Sequence, residues 1–137
     1  MRNPRIIEAL YANADQALIN TKIVLGKKVV HGEYEGYIAG FGPNVINMGI
    51  KPTVAAYCAK PPEDDVSKPS KKKVIEAIAK TLNILNATDA ESLLKKVINE
   101  TDHYLLQDLK EKIVNASVAL KIMIRTYEIS KEKKSER

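Results

Sequence analysis

The sequence predicts an all-α protein: a compact bundle of about five to seven helices, with long first and last helices and very short helices around residues 34–59. Three observations carry that expectation. Apolar residues recur at three- and four-residue steps over most of the chain, which aligns them on one face of a helix. No segment alternates apolar and polar residues over a useful length, although Val29-Val30 and Tyr34 to Ile38 invite a strand reading. Glycine and proline gather in the middle, at Gly36, Gly40, Gly42-Pro43 and Gly49-Ile50-Lys51-Pro52, while the helical patterns on either side contain no glycine.

The first helix is announced by Asn3 as N-cap and Pro4 at the first helical position, where the missing N–H and fixed φ do no harm. Ile7, Leu10, Ala14, Ala17, Thr21 and Val24 then form one stripe lasting about six turns. Ala14, Ala17 and Thr21 are small enough to admit a neighbouring helix closely, so this helix belongs in the centre of the bundle. Gly26 or Gly32 is expected to bound it. In the middle segment, Gly42-Pro43 and Gly49-Ile50-Lys51-Pro52 each set a stop beside a new start, and Gly36, Gly40 and Gly42 read as turn glycines.

Thr53 to Ala59 reads as a short apolar helix closed by Lys60-Pro61-Pro62, because a residue before proline is pushed out of helical geometry. Residues 61–72, extending to Lys73, are rich in proline, acids and lysine, with Val66 as the larger apolar side chain, and read as an exposed, mobile linker. Val74, Ile75, Ile78, Leu82 and Leu85 restart the helical period. Thr88 stands three residues before Glu91, the spacing of a capping box, so another helix begins near Asp89 and carries Leu93, Leu94, Val97 and Ile98. Thr101 or Asp102 caps the last helix, whose stripe is Leu106, Leu109, Ile113, Ala116, Leu120, Met123 and Tyr127. The tail, residues 131–137, has no apolar residue and is expected to fray.

At 137 residues the chain suits a single helical domain, residues 1–137, able to bury roughly 70% of its unfolded surface. With 45% hydrophobic and 28% charged residues, it has the composition of a globular protein and lacks the ~18-residue apolar run of a spanning helix. The start of the chain is interrupted by Glu8, Asn13 and Asp15 before any apolar core of a secretory signal can form. A single cysteine, Cys58, has no internal partner and reads as core. Together these features point to a cytoplasmic protein without membrane contact. The net charge of +5 favours an acidic partner. It is spread along the chain, with six bases and four acids in residues 1–58 and sixteen and thirteen in the remainder.

The search for chemistry returns little. His31-Gly32-Glu33 has the H-x-E half of a zinc deaminase site, but the P-C-x-x-C half is absent. His103 beside Asp102 fits a turn before the last helix better than a catalytic base. The lone cysteine and two histidines offer no repeated ligand pair for a metal. The glycines have no strand before them and no Lys-Ser/Thr after them, so they lack a phosphate-cradling architecture. No catalytic set and no cofactor are expected, and a small enzyme would need His31, Glu33 and His103 to converge in one pocket.

Binding remains. Lysines recur near the turns and opposite the apolar stripes: Lys22, Lys27, Lys28, Lys51, Lys71 to Lys73, and Lys121 with Arg125. Such a spread often marks only a solvated face. Lys22, Lys27 and Lys28 nevertheless leave a local positive field that can follow a phosphate backbone. Tyr34 and Tyr37 can stack on bases beside it, or sit as apolar rings with hydroxyls at the rim of the core.

The segment from Tyr37 to Ile50, followed by Thr53-Val54-Ala55-Ala56-Tyr57, resembles the central segment of a known family: the small all-helical subunit, the fifth Cmr protein, of the type III-B (Cmr) CRISPR RNA-guided effector complex. In that family an aromatic-apolar helix leads to a short helix, a glycine and a small apolar helix. The order of long first helix, glycine-punctuated centre and long last helix is also similar. The resemblance implies a non-catalytic structural subunit of an antiviral defence complex. Copies of it stack in a filament beside the backbone and large Cmr subunits, along guide RNA paired with target RNA. By residue it implies RNA-backbone contacts at Lys27, Lys28 and Lys51, which border the matching segment, and at Lys121 and Arg125 on the last helix. With Lys22 from the charge pattern, these form the expected RNA-binding set, which positions a strand without reading its sequence. The competing expectation is a helical protein–protein adaptor with no nucleic-acid contact, marked by an apolar groove and evenly scattered lysines.

Overall fold

The computed structural model describes residues 4–24, 29–59 and 70–130. Within them the order is α1 (Pro4–Ala9), α2 (Tyr11–Asn20), β1 (Val29–His31), α3 (Gly32–Met48), α4 (Ile50–Cys58), α5 (Lys71–Leu82), α6 (Ala90–Asn99), α7 (His103–Ile124) and β2 (Glu128–Ser130). The fold is all-α, as expected. The two strands form one short parallel pair, with Val29 opposite Glu128 and His31 opposite Ser130. Val29-Val30 is therefore a strand, the reading set aside above, made where the chain entering α3 runs beside the chain leaving α7. Asn3, Gly26, Lys27, Lys28, Lys60, residues 61–69 of the expected linker and the tail 131–137 lie outside the described residues.

The long first helix and the expected short helices of the centre are both corrected. The long first helix is divided at Leu10, whose N–H bonds the Ile7 carbonyl three residues back (3.0 Å) in place of a full helical bond. That turn sends α1 with buried Ile7 onto α7, while α2 packs between α5 and α7 with Ala14, Ala17 and Leu18 buried. The central place of Ala14 and Ala17 holds. No glycine ends α2: Thr21 folds its hydroxyl back to the Ala17 carbonyl (2.8 Å), and Lys22 takes the left-handed conformation at φ 65°.

The second correction concerns residues 34–59, where very short helices were expected. Gly42-Pro43 does not stop the chain: α3 runs 17 residues straight through it. Proline inside a helix costs about 3 kcal/mol, since its N–H is missing and its ring crowds the preceding turn. Against that cost stand Tyr34, Ile38, Phe41 and Val45, spaced four, three and four apart and buried. Four such side chains, at ~1.5–3 kcal/mol each, outweigh one proline. Gly36, Gly40 and Gly42 are accordingly helical residues, not turn residues. The real stop is Gly49, at φ 94° and ψ 164°, a conformation open only to glycine, and α4 starts at the next residue. It closes at Ala59 (ψ 138°), ahead of the prolines as predicted.

Beyond residue 69 the expected linker is helical rather than mobile. Ser70 is an N-cap whose hydroxyl accepts from the Lys72 amide (3.2 Å), and Lys71 to Lys73 form the first turn of α5. Leu85, expected to continue the stripe, is 85% exposed, because α5 stops at Asn83 in the left-handed C-cap conformation. Asp89 rather than Thr88 caps α6, accepting from the Ser92 amide at 2.8 Å. Asp102 caps α7 through the Tyr104 and Leu105 amides. Along α7 the predicted Leu109, Ile113, Ala116 and Leu120 are buried and form one core with the stripes of α2, α3, α5 and α6.

Gly49→Ala is expected to lower stability by about 1–3 kcal/mol in urea unfolding, since no L side chain tolerates that backbone. Gly36→Ala, where an added Cβ meets nothing within 4 Å, is expected to raise it by ~0.5–1 kcal/mol. Equal and small effects at both positions would contradict the assigned helix boundary.

Candidate functional site

The predicted cations separate into different local roles. Lys51, in the first turn of α4, gives its ammonium to the Ile98 carbonyl at the end of α6 (3.1 Å), a favourable contact because the last carbonyls of a helix carry partial negative charge. Arg125 lies at the far end of α3, where its Nε meets Glu35 Oε2 at 2.9 Å and ties the exit of α7 to the start of α3. Met48 stands thirteen positions after Glu35 on α3, about 20 Å of helix, so Lys51 and Arg125 do not share a site. Lys121 lines a cleft between α3 and α7. Lys22 is exposed beyond the end of α2, and Lys27 and Lys28 lie outside the described residues.

A denser basic group lies elsewhere. Lys71, Lys72 and Lys73 occupy the first turn of α5, which contains no acidic residue. The free amides of a helix N-terminus already make that end positive, so three lysines there stand against the dipole. Lys71 is held over two aromatic faces, 5.5 Å from the centre of the Tyr37 ring and 5.4 Å from that of Tyr57. Lys72 is exposed, and its field reaches the Cys58 thiol and the Asp89 carboxylate. The Lys71 to Lys73 run was visible as a charge cluster. The signal that places it on a helix start is Ser70 followed by the Val74-Ile75-Ile78 period.

The tyrosines anchor this corner. Tyr34 is 5% exposed, and its hydroxyl accepts the Ser70 amide at 3.0 Å, so it secures the start of α5 to α3 and cannot stack on a base. Burial pushes its hydroxyl above the usual tyrosine pKa. Tyr57 donates to the Tyr37 carbonyl (2.7 Å) and meets Phe41 edge-on, with ring centres 5.3 Å apart. Tyr37 is half-buried, edge-on to Tyr34, beneath the Lys71 ammonium. Of the two expected stacking residues, Tyr37 alone is partly exposed, and Lys71 lies over its ring.

The residues considered for catalysis do not converge. His31 lies in β1, beside the strand that follows α7, whereas His103 is the first residue of α7. The helix between these ends has 22 residues and is ~33 Å long. Among the described residues no three His, Cys, Asp or Glu side chains gather as metal ligands. Cys58 is half-buried, and burial pushes its thiol up, away from the thiolate form. No helix among the described residues is long and apolar enough to cross a membrane.

Comparison with protein-family models, with curated proteins and with solved structures finds no match.

One titration reports on the junction where α7 ends. Tyr127 donates its hydroxyl to Asp15 Oδ1 on α2, and burial together with that carboxylate pushes its pKa up to about 12. The folded value lies above the ordinary 10.0, so the stabilisation is complete below pH 10 and is lost as pH rises through about 12. Burial also raises Tyr34 and Tyr57, so alkaline absorbance titration should show several late-ionising tyrosines, and the component near pH 12 should disappear in Tyr127→Phe. A Tyr127 that ionises with the exposed tyrosines would contradict the bond to Asp15.

Proposed function

We propose that this chain is a non-catalytic structural subunit of a type III-B CRISPR (Cmr) ribonucleoprotein effector complex in antiviral defence. Copies stack along guide and target RNA beside the backbone and large subunits, in the cytoplasm, and add sequence-independent contacts to the RNA backbone. The family assignment rests on the likeness of the Tyr37 to Tyr57 segment. Of that pattern the aromatic-apolar helix, the glycine at position 49 and the small apolar helix are present, while the separate short helix is not, because α3 runs unbroken to Met48.

The observation that carries the RNA part is the first turn of α5. Three lysines on the positive end of a helix oppose its dipole and repel one another, and a phosphate strand would relieve both. Exposed Lys22, with Lys27 and Lys28 following in sequence, extends the set. Half-buried Tyr37 lies beneath Lys71 beside the set. A protein-only adaptor is the competing reading, favoured by the exposed apolar side chains of Ile46 (79%) and Tyr104 (84%).

The experiment is a salt series of binding to a long single-stranded RNA, on which several copies add their contacts. Each phosphate contact contributes about 0.7 to the slope of log affinity against log salt on a single strand. Lys72→Gln/Lys73→Gln is expected to flatten that slope by about 1.4 while raising thermal stability, because it removes cations from a helix N-terminus. Lys27→Glu/Lys28→Glu should likewise weaken association with helical content unchanged. Salt-independent or absent binding by the parent chain would favour the adaptor.

A further inference from the structure

We infer that the cleft between α3 and α7 receives an aliphatic side chain from an acidic segment of another protein, with a carboxylate of that segment paired to Lys121. The cleft is about 300 Å³, room for one or two side chains. Four features of its lining specify the occupant.

The walls are mixed: Ile46, Val118 and the edge of buried Ile38 give the apolar part and Asn47 and Ser117 the polar part, and Ile46 is 79% exposed, the most exposed large aliphatic side chain of α3. Gly42 opens the middle, since a Cβ there would meet nothing within 4 Å. Pro43 has no N–H for the Ala39 carbonyl one turn back, and both residues line the cleft, so we take that carbonyl as the acceptor for an incoming backbone N–H. Lys121 is the single charged residue of the lining, and no ion pair engages it among the described residues. Arg125, one turn on, is already occupied by Glu35. An aliphatic group, an N–H donor and an anion in one ligand describe a peptide segment. An RNA strand fits poorly, because the cleft presents one cation rather than a row and no aromatic ring for a base.

This goes beyond the RNA reading: it assigns Lys121 to a protein contact, and it stands whether or not α5 meets RNA. The test is methyl NMR on the full chain, labelled at isoleucine, leucine and valine, titrated to millimolar with a blocked peptide alternating leucine and glutamate. A peptide alternating leucine and lysine is the control. The Ile38, Ile46 and Val118 methyl signals should shift with the acidic peptide. Lys121→Glu should weaken that response about tenfold and transfer it to the basic peptide, since charge complementarity selects the partner. Ile46→Ser, at an exposed position that leaves the fold intact, should also weaken it. Unmoved methyls, or equal responses to both peptides, would overturn the assignment. So would the same methyls shifting with single-stranded RNA in place of the acidic peptide, or shifting with protein concentration alone, which would make the occupant a nucleic acid or a second copy.

Discussion

Burial of one face of α3 is the constraint on which the remaining architecture depends. Tyr34, Ile38, Phe41 and Val45 are committed to the core, and their spacing demands an unbroken helix through Gly42 and Pro43. Once α3 is continuous, each neighbour has a fixed place. Tyr57 reaches the Tyr37 carbonyl and fixes α4, the Tyr34 hydroxyl receives the Ser70 amide and fixes α5, and Glu35 receives Arg125 and fixes the end of α7. Two helix stops would uncouple these three attachments, because residues 34–37 would no longer be rigidly joined to residues 41–45.

The same constraint shapes the surface. A proline carried inside a helix leaves a backbone acceptor without its usual donor, and the glycine before it leaves a gap, so the tolerated irregularity becomes a lined cleft. At the start of α5 the conflict is electrostatic, with lysines placed where the dipole disfavours them. Both places break a local rule, although Lys71 gains the faces of Tyr37 and Tyr57. Such breaks are where contacts to other molecules are reasonably sought.

The regular helices were legible in the sequence, and the irregular centre was not. Along α7, periodicity and a capping aspartate specified the element from its first residue, since apolar spacing and an N-cap agree there. Proline and glycine in α3 were misread because local breaking signals compete with a tertiary gain that a single segment does not display. The strand pair at Val29 is similar: its partner lies about a hundred residues away, beyond any local pattern. Of the candidate site, residue types were visible but not their neighbours. Nothing in the chain showed that Lys51 would cap α6 or that Arg125 would be held by Glu35. The Lys71 to Lys73 run gained meaning only when Ser70 proved to be an N-cap, which moved those lysines from a linker to a helix start.

The central claim is the continuity of α3, and backbone 13C chemical shifts of residues 38–48 in solution test it most directly. Helical values on both sides of Pro43, running without a break from Ile38 to Met48 and ending at Gly49, are what the account predicts. Turn or extended values at Phe41 to Asn44, with separate helices before and after, would contradict it, and with it the placement of α4, α5 and the α3–α7 cleft.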